Sequence, residues 1–203
     1  MKRNIIITTI VFIGLFIAII TILPKCKPKH KYKPPTSVTI KLPYTFKTEK
    51  AEQLSIMAFN LRKAKNYEEA INMYRQAIKV EPENPKLFFD LSECYTSTDR
   101  PEQAILLLDT AIILDKSCAA FYNNRGLIYW RLYKDQNAIN DYKKAIQLDS
   151  TNWVFYSNIA MAYYSDKKIP EACKAFQMAK YLGLDMTNLK ENGNLEILKS
   201  ICY

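Results

Sequence analysis

Small and apolar residues recur along the chain with a period of 34 residues. Alanine occupies one such series of positions, and a second series of alanines follows seven residues later. These two series are Ala70, Ala104, Ala138 and Ala172, and Ala77, Ala111, Ala145 and Ala179. Self-similarity at a fixed period of about 20–50 residues is typical of solenoid proteins. The pattern therefore predicts an array of four repeated units.

Four further columns repeat with the same spacing. The four units begin at residues 51, 85, 119 and 153, and we count the first residue of each as position 1. A small residue then fills position 8 of every unit, and bulky residues fill positions 4, 11 and 24. The columns are Ala58, Ser92, Gly126 and Ala160; Leu54, Phe88, Tyr122 and Tyr156; Leu61, Tyr95, Tyr129 and Tyr163; and Tyr74, Leu108, Tyr142 and Phe176. Small side chains let helices approach closely, and bulky ones fill the space between them. We expect an all-α architecture of antiparallel helix pairs.

The boundaries of the units follow from this register. The predicted units are 51–84, 85–118, 119–152 and 153–186. Pro101 and Pro170 fall in the first turn of the second helix of a pair, where a missing N–H does no harm. After residue 186 the repeat stops, and an apolar segment over 187–203 is expected to form a helix that caps the end of the array. Arg125 departs from the pattern, because it occupies a position where the other units have an apolar residue.

These columns resemble the tetratricopeptide repeat family over residues 51–186. The resemblance implies a right-handed superhelical solenoid whose first helices, one from each unit, line a concave groove that binds a protein or peptide. Carried over position by position, the implied groove residues are Phe59, Arg62, Lys86, Phe89, Glu93, Asn123, Asn124, Leu127, Trp130, Arg131, Ser157, Asn158, Met161 and Tyr164.

Units three and four carry the strongest binding signals in this set. Trp130 and Arg131 are of the types that dominate binding hot spots. Asn124 and Asn158 share one column and are expected to hydrogen-bond the backbone of an extended peptide, as the resemblance implies. The residues by which some family members grip an acidic chaperone tail are not matched, and Asp90 would repel a carboxylate there.

The N-terminal quarter of the chain has a different character. Residues 5–23 contain no charged residue, and a helix of that length spans roughly 28 Å, close to the bilayer's hydrocarbon core. We therefore expect a transmembrane anchor at 1–23, since no small-residue cleavage site of a signal peptide follows. Residues 24–50 form a basic, Pro-rich linker. Its alternating lysines are either a simple flank or a contact with anionic lipid: Lys25, Lys27, Lys29, Lys31 and Lys33.

The orientation of the anchor is predicted from the lysines on its two sides. Because more Lys and Arg follow the span than precede it, the positive-inside rule places the repeats in the cytoplasm. Signal anchors with a short charged tail commonly adopt the reverse orientation, so a periplasmic or extracellular array stays open.

Charge and composition exclude several functions. Residues 1–50 hold ten Lys or Arg and a single acid, which accounts for the whole net charge of +9. The neutral remainder offers no basic face for nucleic acid. The only histidine, His30, lies in the linker, and the glycines form no phosphate-binding loop. We expect no enzymatic activity, no cofactor, no metal site and no small-molecule substrate.

The five cysteines show no spacing typical of a zinc site or a disulfide scaffold. Free buried thiols are therefore expected at Cys94, Cys118, Cys173 and Cys202, which favours a reducing compartment.

Two functions fit the whole pattern. One is a membrane-anchored scaffold that binds a partner protein in its groove. The other is an accessory subunit packed permanently in a membrane or envelope complex.

Overall fold

The computed structural model describes residues 42–185 and 193–202 of the chain. The expected membrane span at 5–23 and the lysines of the linker lie outside these residues. Within the two described ranges the chain forms nine helices and no strand. They are α1 (Glu49–Lys63), α2 (Tyr67–Val80), α3 (Pro85–Ser97), α4 (Pro101–Leu114), α5 (Ala119–Arg131), α6 (Asp135–Leu148), α7 (Trp153–Ser165), α8 (Ile169–Tyr181) and α9 (Gly193–Ile201).

None of the helices in these two ranges is both long enough and apolar enough to cross a bilayer.

Each helix packs mainly against its neighbours along the chain, so α1 to α8 form four pairs stacked in sequence. The predicted all-helical solenoid is thereby confirmed for the described part of the chain. The periodic columns form its core. Both alanine columns are completely buried, and so are the small residues at position 8 and the bulky residues at position 24. A Cβ added at Gly126 would lie 3.0 Å from the ring of Tyr142, which shows how closely the paired helices approach.

The turn between the helices of each pair has the same backbone conformation in all four units. Lys65, Asp99, Tyr133 and Lys167, which are 34 residues apart, all have φ between 57° and 65°. The N–H of the following residue bonds to a carbonyl five residues back, as from Asn66 to Leu61 at 2.9 Å. This is the Schellman ending of a helix, in which glycine usually takes the left-handed position. None of the four units has a glycine there.

The structure explains the charge at Arg125. Its guanidinium donates two hydrogen bonds to Asp141, of 2.7 and 2.8 Å, and a third of 2.6 Å to Asp109. Asp141 stands at a position where the other units have Met73, Leu107 and Ala175. Unit three has therefore replaced an apolar contact between its helices by an ion pair.

The C-terminal helix α9 covers the last pair. Leu195 and Leu198 are fully buried in the same apolar cluster as Phe176 of α8. A disulfide joins Cys173 of α8 to Cys202, just after α9. The expectation of free buried thiols is therefore wrong for these two cysteines. It is confirmed for Cys94, whereas Cys118 is free but only half-buried. Spacing failed to indicate the pair because the cysteines lie 29 residues apart and meet only through the packing of α9.

Candidate functional site

A cavity of about 390 Å³ lies between α1, α3 and α5, the first helices of units one, two and three, and Tyr67 at the start of α2 completes its wall. We call this cavity the groove pocket. Its wall residues lie mainly at repeat positions that the family resemblance assigns to the concave surface. They are Arg62, Tyr67, Ser92, Glu93, Thr96, Ser97, Asn124, Leu127, Ile128 and Arg131.

Five of the predicted groove residues meet in this pocket: Arg62, Glu93, Asn124, Leu127 and Arg131. Each comes from the C-terminal half or the middle of its helix, and the regular stacking of the pairs brings the three helices side by side. Hydroxyl groups and one amide lie between two arginines, so the wall offers both donors and acceptors. An extended polypeptide needs that mixture, since its backbone alternates N–H and C=O groups.

An ion pair crosses the pocket from α1 to α3. Nη1 of Arg62 lies 2.9 Å from a carboxylate oxygen of Glu93. Burial raises the pKa of Glu93, and the positive charge of Arg62 opposes this rise. The guanidinium of Arg62 also lies 5.3 Å from the centre of the Phe59 ring, which is 40% exposed. Arg62 therefore links the pocket to an exposed aromatic side chain on the first helix.

A second pair lies beside the pocket on α3. Lys86 contacts Asp90 one helical turn later. Burial raises the pKa of the Asp90 carboxyl, although the charge of Lys86 counteracts it. Two of the predicted groove residues are thus already paired within the array: Lys86 with Asp90, and Glu93 with Arg62.

The asparagines form a chain of hydrogen bonds between units three and four. Nδ2 of Asn158 donates to Oδ1 of Asn123 at 2.9 Å, and Nδ2 of Asn123 donates to Oδ1 of Asn124 at 3.2 Å. Asn123 and Asn158 are buried, whereas Asn124 is half-buried at the wall of the pocket. Asn124 therefore meets the groove pocket, and Asn158 supports it from behind through Asn123.

Trp130 lies elsewhere than expected. Its side chain is 1% exposed and belongs to the apolar cluster shared with α7 and α8. Its ring is large enough to reach α7, where Nε1 donates to the hydroxyl of Ser165 at 3.3 Å. The structure thus places this predicted hot spot in the core, while its neighbour Arg131 lines the pocket.

The remaining predicted groove residues divide by burial. Phe89, Ser157 and Met161 are buried, and Lys86 and Tyr164 are half-buried. Within residues 42–185 and 193–202, no group of three or more His, Cys, Asp or Glu side chains is arranged to hold a metal ion.

Sequence reasoning missed a contact of the linker with the array. Residues 42–48 run extended across the repeats, and their alternate side chains pack against the core of the first units. The alternation of apolar and polar residues near this segment was visible in the sequence, but nothing there indicated a partner for it.

Two family models described as "Tetratricopeptide repeat" match the chain, one over residues 61–123 and the other over residues 119–152. The yeast (Saccharomyces cerevisiae) small glutamine-rich tetratricopeptide repeat-containing protein 2 is 31% identical over 103 residues, which are 51% of this chain and 30% of that protein. Serine/threonine-protein phosphatase 5 of Rattus norvegicus is 30% identical over 155 residues, which are 76% of this chain and 28% of the phosphatase. The chain thus spans less than a third of the length of these relatives.

Solved structures share the fold at low identity. A MamA double mutant from strain RS-1 superposes with a TM-score of 0.66 at 15% identity, and covers 75% of this chain and 85% of its own. The first repeat domain of Spaghetti (RPAP3), bound to the HSP90 peptide SRMEEVD, gives a TM-score of 0.57 at 24% identity, with 59% and 94% covered. The family models and these structures together establish that this chain contains tetratricopeptide repeats.

Proposed function

We propose that this chain is a membrane-anchored scaffold that binds an extended segment of a partner protein in the groove pocket. One observation carries the proposal: five residues assigned to the concave surface by their repeat positions line a single cavity between three helices. The peptide-bound Spaghetti domain, which shares the fold, supports peptide binding as the use of such a surface. The anchor itself is proposed from the uncharged segment at 5–23.

The charges around the pocket favour a partner segment with few carboxylates. The arginine on α1 is already paired with Glu93, and the lysine on α3 is already paired with Asp90. An acidic ligand would have to displace these internal acids or lie beside them. Backbone hydrogen bonds to Asn124 and the hydroxyls of α3, together with apolar contact at Leu127, would provide the main affinity.

A pull-down of partners from solubilised membranes tests this function. The double variant Asn124→Ala/Arg131→Ala removes two wall residues from one side of the pocket. We expect a loss of about 2 kcal/mol in partner affinity, roughly thirtyfold, because centrally placed contacts carry most of the energy of an interface. The matched control Lys143→Ala/Gln147→Ala changes exposed residues of α6, on the other helix of the same unit. If both variants retained the partner equally, the groove pocket would not be the binding site.

The orientation of the array is a separate proposal, and it reverses the cytoplasmic orientation that the lysine count predicts. The disulfide between Cys173 and Cys202 supports repeats that lie on the non-cytoplasmic side, since such bonds persist mainly in oxidising compartments. A cysteine introduced at Ser37, with Cys26, Cys94 and Cys118 replaced, tests the side directly. Labelling of intact cells by an impermeant thiol reagent is the expected result, and labelling only after lysis would refute it.

One feature favours the alternative function of a permanently assembled subunit. Leu106 and Ile113 of α4 are 66% and 73% exposed, one above the other on the outer face of unit two. The corresponding residues of units one and three are polar: Asn72, Lys79, Asn140 and Gln147. A permanent neighbour would bury these side chains and copurify in detergent at a fixed ratio. Loss of that ratio in Leu106→Asn/Ile113→Lys, with the Asn124→Ala/Arg131→Ala variant unaffected, would favour this alternative.

A further inference from the structure

Residues 42–48, which we call the strap, lie across the repeats as an extended segment before α1 begins. Its side chains alternate in exposure. Leu42, Tyr44 and Phe46 are half-buried and pack against the core of the first units, whereas Pro43, Thr45 and Lys47 are exposed. An extended chain presents alternate side chains to opposite sides, so one side of the strap is docked and the other faces solvent.

The apolar side of the strap lies on aromatic residues of two units. The ring of Tyr44 stacks on Phe121 of α5, with centroids 5.9 Å apart and planes 13° apart. Phe121 in turn contacts Phe89 of α3, at a centroid distance of 5.5 Å. Nζ of Lys86 lies 5.9 Å from the centre of the Phe46 ring. The strap therefore bridges units two and three at the N-terminal ends of their first helices.

Two carboxylates fix the polar groups of the strap. The backbone N–H and the hydroxyl of Thr48 donate to Glu81, at 2.6 and 2.9 Å, and the hydroxyl of Tyr44 donates to Asp115. Nδ2 of Asn84 reaches the carbonyl of Thr45 at 3.4 Å. These contacts involve backbone groups, side-chain hydroxyls and aromatic faces together, which is how a bound peptide is held.

The two carboxylates are related by the repeat itself. Glu81 and Asp115 are 34 residues apart and follow the second helices of units one and two. The same position is acidic again in unit three, at Asp149, and is a glycine in unit four, so the first three units offer one carboxylate each at the spacing of the repeat. The strap uses two successive carboxylates with hydroxyl donors four residues apart, at Tyr44 and Thr48.

We propose that this edge is a second peptide-binding surface of the array and that the strap is its resident ligand, bound reversibly. The surface consists of Phe89, Phe121, Glu81 and Asp115. None of these residues lines the groove pocket, although α3 and α5 contribute other residues to it. Its ligand is an extended segment with aromatic residues at alternate positions, one of them a tyrosine, followed by a threonine. This inference is independent of the proposed function, since the groove pocket has other wall residues.

Reversible docking is measurable with a peptide of the strap's own sequence. A fluorescein-labelled peptide of residues 41–48 is titrated with the full chain in detergent, and its anisotropy is followed. The variant Tyr44→Ala/Phe46→Ala undocks the strap and should bind the added peptide. The wild type should bind it at least about tenfold more weakly, because an attached ligand has an effective concentration in the millimolar range.

Two controls make the result specific. The variant Thr45→Ala/Lys47→Ala changes the exposed side of the strap and should behave as the wild type. A peptide with alanine in place of Tyr44 and Phe46 should bind to neither protein. Absence of binding to the Tyr44→Ala/Phe46→Ala variant, or equal binding to that variant and the wild type, would overturn the proposal.

A milder variant serves for the same test if Tyr44→Ala/Phe46→Ala unfolds the array, which a loss of the helical circular dichroism signal would show. Tyr44→Phe retains the stacked ring and removes only the hydrogen bond to Asp115. We expect the Tyr44→Phe variant to bind the added peptide severalfold more tightly than the wild type does. When Asp115→Asn is introduced into both proteins, this difference in peptide affinity should disappear. Unchanged peptide binding in Tyr44→Phe would refute the strap as a displaceable ligand.

Discussion

The guanidinium of Arg125 holds the buried carboxylate of Asp141 through two hydrogen bonds of 2.7 and 2.8 Å. In unit two the same two positions are occupied by Leu91 and Leu107. In unit three an ion pair replaces this apolar contact, so each of the two residues depends on the other to neutralise its buried charge. Burial raises the pKa of Asp141, and Arg125 opposes this rise by hydrogen bonding and by its charge.

This relationship predicts a non-additive mutant cycle. Arg125→Leu should destabilise the protein by about 3 kcal/mol, because it leaves the carboxylate of Asp141 buried without its partner. The double variant Arg125→Leu/Asp141→Leu recreates the pair of unit two and should recover most of that loss. Urea unfolding of the wild type, Arg125→Leu, Asp141→Leu and the double variant measures the cycle. Simple addition of the two single effects would contradict the account.

The left-handed residues of the turns predict a stabilising substitution. Lys65 has φ of 65° and an exposed side chain, so Lys65→Gly should raise the free energy of unfolding by about 1 kcal/mol. The matched control is Lys143→Gly, which places the same change in the interior of α6 and should cost about 1 kcal/mol. Thermal unfolding followed by circular dichroism should show shifts of opposite sign. Shifts of the same sign would show that the turn conformation does not limit stability.

The strap predicts a pH dependence of its own docking. Burial raises the pKa of Glu81, but hydrogen bonds from Thr48 and Asn84 outweigh it and hold the pKa below its ordinary value. Burial also raises the pKa of Asp115, but hydrogen bonds from Ser117 and Tyr44 together outweigh it and leave the pKa below its ordinary value. A lowered pKa in the docked state stabilises docking above the ordinary carboxyl pKa of about 4. That stabilisation is lost as the pH falls through the lower, docked value.

Hydrogen exchange at the N–H of Thr48 measures this dependence locally. Its protection factor should fall as the pH drops from about 5 to about 3, since protonated Glu81 is a poorer acceptor. Glu81→Gln should reduce the dependence, and Glu83→Gln, at an exposed carboxylate paired with Lys47, should leave it unchanged. A protection factor that is constant over this range in the wild type would contradict the assignment.

How far the fold follows from the sequence is clear from particular positions. The period predicts that Ala70, Tyr74 and their repeats are buried, and the structure confirms this, because contacts in a solenoid recur with the sequence period. The prediction that Trp130 lines the groove is wrong, because the period gives a position around the helix and not the reach of a large ring. The disulfide is not predictable from the period because Cys202 lies after the last repeat unit, so its contact with Cys173 has no counterpart in the other units. The strap has no periodic counterpart, so its docking on Phe121 was not predictable.

The disulfide predicts the behaviour of the terminal helix. Cys202→Ser should release α9 from α8, because cross-links that close loops of about 30 residues contribute roughly 3–4 kcal/mol. Hydrogen exchange should then accelerate at Leu195 and Leu198, which are buried in the intact protein. Cys118→Ser, at a free thiol, should leave their exchange unchanged. Equal protection with and without the disulfide would show that packing alone holds α9.

Binding of a partner in the groove pocket is tested most directly by site-specific photocrosslinking in native membranes. Benzoylphenylalanine replaces Leu127 at the wall of the pocket or, as the control, Lys143 at the exposed surface of α6. We predict an adduct of one defined mass from position 127, none from position 143, and loss of the adduct when Asn124→Ala is added. Equal adducts from both positions, or an adduct at 127 that is unaffected by Asn124→Ala, would contradict the scaffold function proposed for this pocket.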